Sequence, residues 1–420
     1  MVESTKEKNG GNMRLDKNKI IMLLFEIALI FLLFQENVFP SELTFVSLLL
    51  TIVFGIFFLV KGGKLYFNPF IITYVLFIIY MILDTSLRGN IEEYMPTIGM
   101  YVMQLVSSLC IYNYLIKCQK IEGFLKIYTI VAIISLIIIF VILGENALST
   151  RLGHNGSGAI VSYYIFDNPI YKSSNGTANF CAIATFFLLY FAENKRKRYC
   201  YIPIIFLTIG MILCGSRKGL LVYVIYVIYT YFFMRKGITI KKILIFLLIP
   251  FVLYFTIMKI PLVYDVIGER IESMVLNLFD VSNTLDGNSY LMRQELKDTA
   301  IEWITRKPFF GYGKGTFENA MGYGAENNLL QIMLEFGLIG TIIYYSFLPF
   351  FIHEIIKLKN KSVLAKVLGI VAITMLIQDY GSVTYSWQTM TMWYSVFWAI
   401  IKIDKIKNDE NYEEKRNKLI

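Results

Sequence analysis

Apolar runs of about 17–20 residues recur along almost the whole chain, and they constrain its fold more than any other feature. The stretch 43–60, LTFVSLLLTIVFGIFFLV, is typical. A helix of that length crosses a hydrocarbon layer of roughly 30 Å. Soluble helical proteins carry amphipathic stripes, whereas these runs are apolar all round. Only 17% of the 420 residues are charged and 56% are hydrophobic, against about 25% charged in soluble domains. The expected fold class is therefore an all-α polytopic membrane protein.

About twelve spans are expected, at roughly 20–35, 43–60, 69–84, 97–116, 124–143, 176–192, 199–214, 219–234, 243–258, 327–351, 363–380 and 386–403. Basic residues fix their orientation. With a cytoplasmic N-terminus, Lys61 and Lys64, Lys117 and Lys120, Lys195 to Arg198, Arg235 to Lys242, Lys357 to Lys366 and the tail from Lys402 all fall inside. That is the positive-inside pattern, and it accounts for the net charge of +9 without nucleic acid. The expected location is the cytoplasmic (inner) membrane, multi-pass, with both ends cytoplasmic. The first 19 residues are polar and basic and lead into further spans, which is not the pattern of a cleavable signal peptide. The expected organisation is a tail at 1–19, helices 1–9 at 20–258, an extracytoplasmic loop at 259–326, helices 10–12 at 327–403 and a tail at 404–420.

The long break at 259–340 carries most of the chemistry. Ser289 to Thr305 reads as a helix, with Leu291, Leu296, Ala300 and Trp303/Ile304 near helical spacing and Asn288/Ser289 as its cap. Pro308 ends it, and Gly311, Gly313 and Gly315 predict an irregular turn. The next span carries Asn327, Gln331 and Glu335, four residues apart and hence on one face. A carboxylate at that depth looks into the bundle rather than into lipid, either as a packing network or toward a substrate. Arg217 and Lys218 open an earlier span beside Gly215, Ser216 and Gly219, small residues that allow close approach. Lipid headgroups would be the alternative partners of both. A second outer stretch, 144–175, holds Arg151 and His154. Glu26, inside the first span, reads as a helix-pairing residue. The five cysteines form no CxxC pair, and the chain has no DxD, DxE or ExD, no P-loop and no GxSxG. No metal or other cofactor is expected.

Three of these stretches resemble the O-antigen ligase and polymerase family. Gly215-Ser-Arg217 with Leu221 is similar to the family's arginine motif. Tyr290-Leu-Met-Arg293 running to Lys307-Pro-Phe-Phe-Gly-Tyr-Gly313 is similar to its loop segment. Glu326-Asn327 followed nine residues on by Gly337-Leu-Ile-Gly340 has the spacing of its signature. The signature's histidine is Glu326 here, which argues against a ligase acting on lipid A-core and suits a polymerase of capsule, exopolysaccharide or O-antigen repeats.

The resemblance implies a GT-C-like, metal-independent glycosyltransferase. Its donor would be an oligosaccharide on undecaprenyl pyrophosphate at the outer face, with membrane lipid around it and a chain-length regulator and a flippase as candidate partners. Arg217 and Arg293 would grip the departing pyrophosphate, since guanidinium is always charged and forks onto phosphate oxygens. Arg151 and Lys218 would assist. Glu326 would orient or deprotonate the acceptor hydroxyl, with Asn327, Gln331 and Glu335 as further substrate contacts. Ligase-type transfer to a lipid or protein acceptor is the alternative within the family. A transporter or flippase of the same glycan is the alternative of another class, which the large outer loop and the absence of a two-half repeat disfavour.

Overall fold

A computed structural model describes residues 17–38, 43–61, 63–143, 174–234, 254–261 and 285–419, with 164–165, 168–169 and isolated positions between 244 and 272. Helices build it: α1 (Lys17–Asn37), α2 (Leu43–Val60), α3 (Pro69–Leu87), α4 (Ile91–Cys118), α5 (Ile121–Leu143), α6 (Ser174–Asn194), α7 (Tyr201–Leu213) and α8 (Arg217–Tyr229). Further along the chain come α9 (Leu285–Arg306), α10 (Thr316–Met321), α11 (Asn328–Tyr345), α12 (Leu348–Lys357), α13 (Val363–Asp379) and α14 (Gln388–Leu419). Tyr164–Ile165 and Asn168–Pro169 make one small antiparallel hairpin.

Among the described residues, eight helical stretches are long and apolar enough to cross a membrane. The chain is an all-α polytopic membrane protein. Most of the expected span at 243–258, and Arg151 with His154, lie outside the described residues.

Local signals start these helices where the sequence suggests. The Asn68 side chain accepts from the Ile71 amide with Pro69 at the first helical position, an arrangement in which proline's missing N–H is no loss. Ser362 caps α13 in the same way. Between helices, packing is close. Gly55 of α2 leaves no room for a β-carbon, which would stand 2.5 Å from Cys110 Cβ of α4. Phe25, Phe58 and Tyr114 stack tilted and edge-on beside it. Glu26 accepts from Tyr114 Oη at 2.6 Å and from Lys120 Nζ at 2.9 Å, so it does pair helices.

Helix α9 begins at Leu285, so it runs through Asn288 and Ser289 instead of being capped by them. Its buried stripe is Leu296, Ala300 and Ile304, packed with Phe317, Ala325 and Leu334. Leu291 was expected in that stripe but is exposed. The stripe that docks starts one turn later, and this contact rather than a cap sets where the helix lies.

The irregular turn after Pro308 has a specific purpose. Helix α11 is broken at Gly337, which takes φ 63°, ψ −166°. A regular helix would join the Leu338 amide to the Leu334 carbonyl and the Ile339 amide to the Glu335 carbonyl. Both bonds are lost, and all four groups find partners in the turn. Leu338 N donates to Pro308 O at 2.8 Å, and Ile339 N to Phe309 O at 3.3 Å. Tyr312 N donates to Leu334 O at 2.7 Å, and Gly313 N to Glu335 O at 2.9 Å. Tyr80 Oη serves the Phe336 carbonyl, and Thr341 Oγ1 the Gly337 carbonyl. Irregular backbone at membrane depth is tolerated only where protein satisfies it, and here it does. The proline-phenylalanine-glycine turn and the Gly337–Gly340 signature are two halves of one joint.

This predicts an order of severity. A β-carbon at Gly337 would stand 2.2 Å from Phe309 O, in a backbone already at positive φ. Gly322, also at positive φ, has nothing within 4 Å. Gly322→Ala should cost only the local strain, about 1–2 kcal/mol. Gly337→Ala should cost clearly more and lower the yield and melting temperature of purified protein. Equal melting temperatures for the two variants would refute the joint.

Candidate functional site

A cavity of about 510 Å³ opens among α1, α2, α4, α5, α6, α8, α9, α13 and α14. That volume is typical of a ligand site. Lys218, Arg293 and Glu326 line it, from α8, α9 and the residue just before the Asn327 cap of α11. Each is brought there by a definite local device. Gly215, at φ 59°, ends α7, and the Ser216 side chain accepts from the Gly219 amide to start α8. Gly219 packs against α6 with a β-carbon position only 2.6 Å from Ala178 Cβ. The Lys218 ammonium donates to Ser382 Oγ at 2.6 Å and to the Gly381 carbonyl. Arg293 is held by the α9 stripe described above.

Glu326 sits at φ 52°, a left-handed backbone that disfavours any residue with a β-carbon. Such strain concentrates at functional positions. Its carboxylate is 3.9 Å from Arg293 Nε, with both side chains roughly two-fifths exposed. At that exposure the pair contributes little to stability. Arg217 stands next to Lys218 in sequence, and Lys297 is near enough to act on it electrostatically, as are Arg217, Arg293 and Glu326. Three further cations and one carboxylate thus act on Lys218.

Arg217 is half-buried at the start of α8 and does not line the cavity among the described residues. Adjacent residues point about 100° apart on a helix, so one of the Arg217/Lys218 pair faces inward and the other aside. Lys297 was missed from the sequence. The signal was there, because it lies four residues after Arg293 on the same face of α9. Its ammonium sits 4.8 Å from the centre of the Tyr380 ring.

Asn327, Gln331 and Glu335 are buried and engaged with protein. Asn327 caps the Leu330 amide and donates to Tyr380 O at 3.0 Å. Gln331 Nε2 donates to Glu335 Oε1 at 2.9 Å and Oε1 accepts from the Ala325 amide. Glu335, fully buried, pairs with Lys314 Nζ at 3.0 Å and accepts from Tyr385 Oη at 2.6 Å. Burial alone would lower the Lys314 pKa, but Glu335, then Tyr101 and Glu318, outweigh it and leave it raised. A raised lysine stabilises below its ordinary pKa and loses this only as the pH rises through the folded value, so the pair stays intact across neutral pH. Burial raises the carboxyl of the neighbouring Glu318. A second buried cluster joins Asn328 to the Thr384 and Tyr385 amides and, through Tyr345, to Asp379. Lys314 and Tyr385 were not singled out in the sequence, since neither stands at helical spacing from Glu335.

Residues 202–345 match a family model described as O-antigen ligase. The chain carries an O-antigen ligase family domain. Members of this family are glycan-transferring enzymes, which implies lipid-linked glycan and membrane lipid as partners. The O-antigen ligase domain runs from α7 to the end of α11, so it spans the Gly337 joint and supplies Lys218, Arg293 and Glu326. No curated protein matched the chain.

Removing one partner of a buried ion pair strands the other. Lys314→Met should therefore destabilise the protein by about 3–5 kcal/mol, and adding Glu335→Gln to it should recover much of the loss. Thermal melts of the single and double variants in detergent check this. A double variant no better than Lys314→Met would show that the two charges do not act as a pair.

Proposed function

We propose that the protein is a polysaccharide polymerase, joining undecaprenyl-pyrophosphate-linked repeat units at the outer face of the cytoplasmic membrane. The observation that carries this reading is the convergence of Lys218, Arg293 and Glu326, far apart in sequence, on one cavity within the O-antigen ligase domain. The twelve-span topology, with α9, α10 and the Glu326 corner on the outer side, is part of the proposal.

In this mechanism the acceptor's sugar hydroxyl attacks the donor's anomeric carbon. The new C–O bond forms as the bond from that carbon to the pyrophosphate oxygen breaks, and its electron pair leaves with the pyrophosphate. The hydroxyl proton passes to the Glu326 carboxylate. Negative charge develops on the leaving group, so fixed cations aimed at it stabilise the transition state. Arg293 and Lys218 contact the pyrophosphate, while Arg217 and Lys297 add to the field from beside them. Arg151 is a further candidate. Asn327, Gln331 and Glu335 act by holding the frame. Glu326 stands where the family signature has the histidine thought essential in its ligases, which favours a polymerase over transfer to lipid A-core.

The test is purified protein with lipid-linked repeat units in detergent, where transport has no compartments to act between. Chain growth is expected. Arg293→Ala should reduce the rate by about 10²–10³, and Glu326→Gln by about 10²–10⁴, with normal melting temperatures. Wild-type rates in Arg293→Ala would remove that residue from the mechanism. Transfer of finished polymer to another acceptor, with no chain growth, would replace the polymerase by the ligase.

A further inference from the structure

The cavity has two chemically different walls. Its charged residues, Lys218, Arg293 and Glu326, all lie within residues 202–345. The other wall comes from elements outside that segment and, among the described residues, presents no Lys, Arg, Asp or Glu. It presents six carboxamides, Gln35, Gln104, Asn175, Asn179, Gln378 and Gln388. The rings of Tyr128, Phe180 and Trp387 lie among them.

Some of these amides are used internally. Gln378 Nε2 donates to Asn179 Oδ1 at 2.8 Å, and Gln35 donates to Thr44 Oγ1. Two are not fully used. Gln104 donates to the Ser386 carbonyl at 3.2 Å, but its Oε1 is buried without a partner among the described residues. Gln388 has neither Nε2 nor Oε1 paired among them. The two residues are only 6% and 7% exposed. A buried amide without partners is destabilising, and native proteins keep few of them. Both residues line the cavity, where a ligand could supply the missing bonds.

We propose that Gln388 and Gln104 form a subsite for an uncharged sugar ring of the glycan, and that this neutral wall sets which glycan is accepted. The proposal rests on the glycan-transfer reading above. A carboxamide offers one donor group and one acceptor, which matches sugar hydroxyls or an acetamido group. The aromatic rings suit the C–H face of a pyranose. An acidic sugar would find no cation on this wall to pair with its carboxylate.

The test uses full-length protein in detergent and the methyl glycosides of glucose, galactose, N-acetylglucosamine, N-acetylgalactosamine and glucuronic acid. Binding is followed by saturation-transfer NMR, alongside melting temperature and transfer kinetics with lipid-linked repeat units. At least one neutral glycoside should bind wild-type protein and lose affinity in the glutamine variants, whereas any binding of the glucuronide should be insensitive to them. Gln388→Met should melt at a higher temperature without sugar, because it removes an unpaired amide. It should also bind the neutral glycoside roughly tenfold more weakly and raise KM for the glycan. Should Gln388→Met not fold, Gln104→Met gives the same binding and KM readings.

No neutral glycoside bound by wild type, or unchanged affinity for it in the glutamine variants, would each overturn the subsite. A lower melting temperature with unchanged affinity would assign Gln388 to packing alone. Protein that binds neutral glycosides but does not transfer keeps the subsite and loses the transfer reading. Protein that transfers with unchanged KM in both variants does the reverse.

Discussion

Four backbone hydrogen bonds between the Pro308–Gly313 turn and the broken helix α11 hold α9 and α10 to the helical bundle. In a soluble protein, water could satisfy groups freed by a helix break. At membrane depth each unpaired group would cost several kcal/mol. Break and turn are therefore conditional on each other: α11 opens at Gly337 only where the turn is docked, and the turn has its shape only where α11 is open. Arg88 reinforces the joint, donating to Phe310 O at 2.7 Å while its guanidinium stays paired with Asp84. Helix α9 leads straight into this turn, so the position of Arg293 is set by backbone bonds rather than by the path of a long loop.

Two buried polar clusters then fix the segment between α13 and α14 against α11. Lys314, Glu335 and Tyr385 make one, and Asn328, Asp379 and Thr384 the other. Burying charge is unfavourable unless pairing is complete, and Glu335 illustrates this with Lys314, Gln331, Tyr385 and the Gly315 amide all directed at it. The same segment presents Gly381 and Ser382 to Lys218. The lysine at the cavity and the network around Glu335 are thus connected through one short stretch of chain. Arg293 and Lys218, carried by different elements, are referenced to the same support.

Features with a local period could be seen in the sequence: the apolar spans, the four-residue spacing of Asn327, Gln331 and Glu335, the outer helix and its terminating proline. The two glycine motifs were visible too, but not that they pair with each other, because that pairing is made by backbone groups which no side-chain pattern records. The amide wall was hidden for another reason. Gln35, Gln104, Gln378 and Gln388 stand on different helices, and a single glutamine in an apolar run reads as a packing residue. Only their convergence distinguishes them. Arg217 and Lys218 were ranked by charge chemistry, whereas the helical angle between neighbours decides which one faces the cavity.

The two walls of the cavity follow different physical requirements. Stabilising a departing pyrophosphate needs fixed cations, and guanidinium or ammonium serves whichever sugar is attached. Choosing among sugars needs buried polar groups that are left unpaired when the wrong ligand enters, since a missed hydrogen bond discriminates more strongly than a missing apolar contact. In the proposed subsite Gln388 would be such a group, its unpaired amide in the empty protein rewarding the sugar that pairs with it.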